Sequence, residues 1–437
     1  MEQEKKFLDK FTEFIESRVG LSKNILKPVP EYSLHPIYRL GTLIVIALLL
    51  QGFTGILMLP YYTPSPDKAY ESTINIASNV PFGSLIQTMH LYTAYAMILL
   101  AFTHLARTYF VAAYKKPREL MWFIGMLMGL TILGSALTGH LLPWTVTSKL
   151  ATDTSVNLIA TIVRTVPSLE FIINFMIGTG SDEELLLRFF AFHIAIFPAT
   201  LLTLLIMKVY LLEVHGVSRP FKIESERLVP WFPHFFIYLI MISSSFLAMI
   251  LIVSILFPIT FTTKFSPEIV DQYKPVPEWY LLWLHQIFKI EVFEKGGLYT
   301  AVVLLSIIFT LFFFLPFIDL SPSRNPMERP AWTTIGVLII VELITLTILG
   351  YVKLDITISN IEATLFLGGS AILTIITSHL LFKRVRYERE VFGSTYIPTN
   401  QPRSFTRLWK DVMIFNANLI LGAYLLATVF NFIPLLI

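Results

Sequence analysis

The chain has 437 residues, of which 55% are hydrophobic and 14% are charged, and its formal net charge is +3. With a mean hydropathy of +0.68, it is too apolar to expose its surface to water, so a membrane protein is indicated. Cysteine is absent, which excludes disulfides, thiolate metal sites, iron–sulfur clusters held by this chain and haem attached through thioethers. Any iron bound here is held by nitrogen, oxygen or thioether sulfur.

The N-terminal segment, Met1 to Lys27, is charged and has the spacing of a short amphipathic surface helix rather than that of a signal peptide. Nine apolar windows follow, each long enough to cross about 30 Å of hydrocarbon. They lie at about 38–59, 82–110, 119–138, 184–213, 232–257, 298–318, 331–351, 357–382 and 411–434. The sequence therefore predicts an all-α, polytopic helical bundle.

Lysine and arginine are distributed unevenly between the two sides that these spans define. Most lie on the side of the N-terminus, including the basic run between Lys383 and Lys410, which we expect to meet anionic lipid headgroups. The positive-inside rule then predicts a plasma-membrane protein with a cytoplasmic N-terminus and an outer C-terminus. Two long connections without obvious structure, roughly 139–183 and 258–297, fall outside, where we expect functional roles.

Polar residues interrupt the second and fourth spans at matching depths. His90 and His104 are 14 residues apart, which is about 21 Å of helical rise and close to four turns, so they lie on nearly one face. His193 in span four is followed 15 residues later by Lys208. Both spans run inward, so His90 and His193 share an outer level and His104 and Lys208 an inner one. Intramembrane ionisable groups are costly and usually functional. Two cofactor sites are indicated, the alternative being hydrogen bonds to neighbouring helices.

Glycines in spans one and three repeat the same interval. Gly41 and Gly55 are 14 residues apart, and so are Gly125 and Gly139. Glycine lets a flat macrocycle approach the backbone closely, and helix packing through small residues would not by itself require this interval twice. The glycines therefore favour two stacked cofactors.

In several motifs the chain resembles cytochrome b, the membrane core of the bc-type quinol-oxidising complexes. The resemblance covers roughly residues 35–380. Its motifs are the paired histidines with Arg107, GHLLPW at 139–144, RFFAFH ending at His193, PEWY at 277–280, LPF at 315–317, NPMERPAW at 325–332 and ELITLTILG at 342–350. The absence of cysteine and the ninth span suggest a divergent prokaryotic form, archaeal forms included.

The resemblance implies two non-covalent haems, either b-type or of a modified, a-like type, held between spans two and four. His90 and His193 would bind the outer haem, and His104 with a residue of span four the inner one. Quinol would be oxidised at an outer site near PEWY, one electron passing to a Rieske-type iron–sulfur partner. The other would cross the membrane through the haems to re-reduce quinone at an inner site, coupled to proton translocation.

The resemblance also assigns residues to the outer quinol pocket. Glu278 would accept protons, as a loop carboxylate at a membrane pocket can, the alternative being an exposed acid that caps a helix. Tyr280 and Trp279 would shape the pocket. Arg107 would pair with a haem propionate, with simple headgroup contact as its alternative.

The family's fourth haem ligand is a histidine, and this chain has none at that place. Pro198 and Gly216 align with the longer-spaced variant of the family in its photosynthetic relatives, which favours Lys208. An amine binds iron only when it is neutral. Met207 is an alternative ligand, and a snorkelling lysine without a ligand role is another.

Other positions depart from the family pattern. Gln87 replaces an arginine near the outer haem, which puts a propionate contact there in doubt. His140 replaces an aromatic residue beside the outer pocket and either joins Glu278 in proton handling or is structural. At the inner quinone site the matched positions are Glu213 and Leu239, so that site uses Glu213 or His215 or binds quinone differently.

We expect four segments and several partners. The segments are a surface arm at 1–34, a haem-binding bundle at 35–230, quinol-site and C-terminal spans at 231–383, and a basic loop with a ninth span at 384–437. The partners, besides lipid and quinol, are other respiratory-complex subunits, in a homodimeric core or a larger supercomplex, and no nucleic acid. Two rival functions are a cofactor-free proton-coupled transporter and a di-haem membrane anchor of a dehydrogenase.

Overall fold

The structure, a computed structural model, describes residues 28–164, 170–178, 180–219 and 227–392. The predicted N-terminal surface helix, the ninth span and much of the basic run lie outside these residues. Within the described ranges, eight helices are long and apolar enough to cross a membrane. Each coincides with one of the first eight predicted spans, so the all-α membrane fold is confirmed.

We number the helices in chain order. The eight membrane helices are α1 Leu40–Tyr61, α3 Gly83–Phe110, α4 Glu119–Leu141, α7 Asp182–His215, α8 Trp231–Leu256, α10 Phe293–Phe313, α11 Pro330–Val352 and α12 Asn360–Arg386. The helices in the connections are α2 Ala69–Asn79, α5 Val146–Arg164, α6 Glu170–Ile177 and α9 Trp279–Phe288. Two short strands, β1 Val29–Pro30 and β2 Leu228–Val229, pair antiparallel at the end of the bundle that holds the start of α1.

The two long connections are not irregular loops, contrary to expectation. Helices α5 and α6 occupy most of 139–183, and α9 lies within 258–297. A search for long apolar windows passes over such helices because they are short or polar on one face. The connections also join each other: Val146 N–H donates to the Thr263 carbonyl (3.0 Å), and Phe265 N–H to that of Trp144 (3.1 Å). They form one layer over one end of the bundle.

Packing within the bundle places each glycine-bearing helix beside a histidine-bearing helix. Helix α1 packs along α3, and α4 packs along α7. The shared apolar core includes the fully buried Leu43 of α1 and Leu100 of α3, and it extends to Phe246 of α8. Four helices of the N-terminal half are thereby arranged around the residues singled out in the sequence.

Candidate functional site

The outer pair of histidines face each other across the bundle. The ring centroids of His90 and His193 lie 6.0 Å apart, with the ring planes at 70°. A metal bound by imidazole lies about 2 Å from the ligating nitrogen, so this separation leaves room for one metal ion between the rings. We call the end of the bundle at which this pair lies the outer end, following the predicted orientation.

Neighbouring groups fix which ring nitrogen carries the proton. Nδ1 of His193 lies 2.9 Å from the Ser135 carbonyl, which only accepts, so Nδ1 is the protonated nitrogen. Thr54 uses its hydroxyl proton on the Leu50 carbonyl (2.7 Å), so its oxygen accepts from Nδ1 of His90 at 2.8 Å. Both histidines therefore keep the Nε2 lone pair, the arrangement typical of metal-binding imidazoles.

The inner level is formed by His104 and Lys208. Nδ1 of His104 is buried and has no hydrogen-bond partner among the described residues. Lys208 interacts with His104 electrostatically, and a Cβ placed on Gly125 would lie 2.9 Å from its Nζ. Met207 is 44% exposed. The geometry thus favours Lys208 over Met207 as the partner of His104.

Each of the four glycines faces the candidate ligand of its own level. A Cβ on Gly41 would lie 3.9 Å from Cε1 of His104, and one on Gly55 would lie 3.5 Å from Cε1 of His90. A Cβ on Gly139 would overlap the imidazole of His193. A side chain is therefore excluded at Gly139 and tight at Gly125, whereas one at Gly41 or Gly55 would make ordinary contacts.

A π-helical turn at Phe192–Ile196 lies within α7 and contains His193. The Phe197 N–H bonds to the Phe192 carbonyl five residues back, and Pro198 that follows has no N–H to offer the regular ladder. Such a turn takes up one extra residue. It explains why 15 residues on α7 correspond to the 14 between the histidines of α3.

The donors and glycines at the two levels can be compared with the requirements of a haem. In the described ranges, no group of three or more histidine or acidic residues could hold a metal by itself. Two opposed donors at each level suit an iron whose other four positions belong to a macrocycle. The glycine contacts and the orphaned Nδ1 of His104 fit the same group. The residues present are compatible with two haems.

A second site lies at the outer end, around Glu278. This residue is at the N-cap position of α9, yet its side chain makes no capping hydrogen bond. Oε2 accepts from the Tyr95 hydroxyl at 3.2 Å, and Oε1 lies 3.2 Å from Nε2 of His140. Tyr280 and Tyr351 also interact with it electrostatically. The carboxylate therefore faces a cluster of titratable groups and does not cap the helix.

Tyr280 is 3% exposed, and its hydroxyl has no hydrogen-bond partner in the described part of the chain. Burial, followed by the charge of Glu278, raises the pKa of Tyr280 well above its usual value. This tyrosine is neutral at physiological pH, and its hydroxyl keeps its capacity to form a hydrogen bond.

The remaining predicted residues have other contacts. The Arg107 guanidinium lies 4.2 Å from the ring centroid of Tyr38 at the inner end of α3. Gln87 is buried and donates to the Thr73 carbonyl of α2 (3.0 Å), a packing role. Arg118 donates to the carbonyl of His215 (2.8 Å). The composition of an inner quinone site stays a prediction.

Sequence reasoning missed three parts of these sites. Thr54 and the Ser135 carbonyl orient the outer histidines, and Tyr95 contacts Glu278. Only Tyr95 carried a signal, because a tyrosine within an apolar span needs a partner for its hydroxyl. The sequence signal for the π turn is Pro198, which has no N–H for the regular hydrogen-bond ladder.

Fold and sites together define a polytopic helical membrane protein with opposed pairs of candidate ligands at two depths. Two family models match the chain: "Cytochrome b(N-terminal)/b6/petB" over residues 95–264 and "Cytochrome b(C-terminal)/b6/petD" over 268–367. The chain belongs to the cytochrome b family. The prediction made from its motifs is confirmed.

Individual relatives support the same family assignment. The cytochrome bc complex cytochrome b subunit of Chlorobaculum thiosulfatiphilum is 30% identical over 319 residues, 72% of this chain and 73% of the relative. Cytochrome b of Sulfolobus acidocaldarius is 28% identical over 399 residues, 83% of this chain and 69% of the relative. A solved chain described as "Hyperthermophilic respiratory Complex III" has a TM-score of 0.68 at 24% identity, covering 86% of this chain and 99% of that one. This last likeness supports the fold.

Proposed function

We propose that this cytochrome b is the haem-bearing subunit of a respiratory complex that oxidises quinol at the outer end and moves electrons across the membrane. The observation that carries the proposal is the opposed pair His90 and His193, each with its Nε2 lone pair available, at the end of the bundle where Glu278 lies. A haem-ligand pair and a carboxylate cluster at one end suit electron and proton removal from one substrate.

The ligand pairs hold the cofactors in this proposal. His90 and His193 bind the outer haem, and His104 and Lys208 bind the inner one. Gly41, Gly55, Gly125 and Gly139 leave space for the ring edges. The haems, when bound, supply one-electron acceptance and donation. Whether their rings are b-type or a-like is decided by extracting the haem and determining its mass.

The chain's own acid–base groups handle the protons of quinol. Glu278 accepts a proton from the quinol hydroxyl, which requires hydrogen-bond reach between the two oxygens. Tyr95 holds the carboxylate by donating to Oε2. Tyr280, neutral and with its hydroxyl buried, orients the bound ring. Arg107, at the inner end, balances the charge of a propionate of the inner haem.

The names of relatives support the partners of this proposal. The Chlorobaculum thiosulfatiphilum relative is named as a subunit of a cytochrome bc complex. We infer a Rieske-type iron–sulfur protein at the outer end, other respiratory-complex subunits and a homodimeric core, in a plasma membrane with the N-terminus in the cytoplasm. Crosslinking in native membranes followed by mass determination tests this set.

An absorption spectrum of the purified chain tests the central proposal. We expect a Soret band, two haems per chain and two reduction potentials in a redox titration. A cofactor-free transporter would give no Soret band. A dehydrogenase anchor would give one, but it would show no quinol oxidation sensitive to Glu278→Gln, which we expect to lower the rate by about 100-fold or more.

A further inference from the structure

Two helices reach the two oxygens of the Glu278 carboxylate. His140, in the last turn of α4, places Nε2 at 3.2 Å from Oε1. Tyr95, in α3, donates to Oε2 at 3.2 Å. The side chains of His140 and Glu278 are 20% and 18% exposed, so the pair is mostly buried but retains some contact with the surroundings of the protein.

His140 differs chemically from every other described group that faces this carboxylate. Those other groups are Tyr95 of α3, Tyr280 of α9 and Tyr351 of α11. A phenol ordinarily titrates near pH 10. Imidazole is the side chain that gains and loses a proton between about pH 5 and 8. Among the described groups named here, His140 is the one imidazole beside three phenols.

The geometry points to His140 as a proton relay for Glu278, an inference that rests on the proposed quinol oxidation. The O–H bond of quinol breaks as the carboxylate takes the proton. The resulting carboxyl group passes it to Nε2 of His140 and is restored to carboxylate. The imidazolium then releases a proton from Nδ1 to water at the outer surface, leaving a neutral ring with its proton on Nε2. Rotation of that ring or exchange with water resets the pair.

The relay makes a prediction that a mechanical role does not. If His140 merely anchors α9 to α4, any side chain that donates a hydrogen bond to Oε1 replaces it at every pH. A relay needs a neutral imidazole to receive the proton, so the rate of quinol oxidation rises with pH where histidine titrates. Removing the imidazole removes that rise.

Two substitutions separate these roles. His140→Gln keeps an N–H donor but cannot become a cation, and His140→Phe removes donor and charge together. His234→Gln is the matched control, because His234 is an exposed histidine at the other end of the bundle. Quinol oxidation by the whole purified complex is measured from pH 5 to 9 with a short-chain quinol that the wild type oxidises. The Soret band of each variant reports intact haem sites.

We expect His140→Gln and His140→Phe to keep the Soret band, to lose the rise in rate between about pH 5 and 8, and to be slower by about 10-fold or more at pH 8. His234→Gln should follow the wild type. A wild-type pH profile in His140→Gln overturns the relay alone. A wild-type complex without a Soret band or without quinol oxidation overturns the proposed function itself, so the two failures are distinguishable.

Discussion

Gly139 and His193 are in contact across the α4–α7 interface, so closely that a side chain on Gly139 would overlap the imidazole. We predict that Gly139→Ala displaces His193 and removes most of the outer haem, since imidazole position is set by this backbone. The measurement is the haem content of the purified protein. Gly129→Ala is the matched control on the same helix, because no atom of the described residues lies within 4 Å of a Cβ there. Equal haem content in both variants would contradict the prediction.

The hydrogen bond from His90 to Thr54 predicts that replacing Thr54 weakens binding of the outer haem without abolishing it. Thr54→Val keeps the shape of the side chain but removes the oxygen that accepts from Nδ1 of His90. Outer-shell partners of metal-binding histidines typically contribute about 10- to 100-fold to metal affinity. We expect a weaker outer haem and a shifted potential in a redox titration. Thr200→Val is the control, because among the described residues that exposed hydroxyl bonds only to the Ile196 carbonyl of its own helix. A titration indistinguishable from that control would contradict the role of Thr54.

Lys208 and Met207 give opposite predictions for the inner haem. Lys208→Ala should change the spectrum and the reduction potential of the inner haem while leaving the outer one unchanged. Met207→Ala should change neither, because Met207 is 44% exposed. Redox titration of both variants decides the matter. If the Met207 variant, and not the Lys208 variant, alters the inner haem, the ligand assignment is reversed.

His285 predicts how stability depends on pH. This residue of α9 is 6% exposed. Burial, followed by the charge of Lys289, lowers the pKa of His285 to about 4, against the opposing influence of Asp355. The unfolded chain therefore binds this proton between about pH 6.5 and 4, where the folded chain does not. Above about pH 6.5 the imidazole is neutral in both the folded and the unfolded chain. As the pH falls from about 6.5 to 4, protonation favours the unfolded chain, and the free energy of unfolding is lower by about 1 kcal/mol at pH 5.5.

We therefore expect the melting temperature of His285→Gln to fall less than that of the wild type between pH 7 and 5. Thermal unfolding in detergent, followed by circular dichroism, measures this difference. His234→Gln is the control, because it removes an exposed histidine and leaves the buried His285 in place. A parallel fall in the wild type and both variants would contradict the assignment.

The sequence predicted the parts of the molecule that depend on regular periodicity. Helical spans, the two levels of His90 and His104, and the glycine interval all follow from a constant rise per residue. The hydrogen bonds of Thr54, Ser135 and Tyr95 did not follow, because they depend on how helices rotate against one another. Helix α5 was not predicted, because its polar face keeps the segment from forming a long apolar window.

The π turn of α7 has a consequence for how the chain tolerates insertions and deletions. One added residue in a regular helix turns everything beyond it by about 100°, which would carry an inner ligand out of the bundle. At Phe192–Ile196 the extra residue is confined to a single wide turn, so the segment beyond it stays in phase. The two levels of candidate ligands can therefore differ in residue spacing between related chains without any change in the architecture of the bundle.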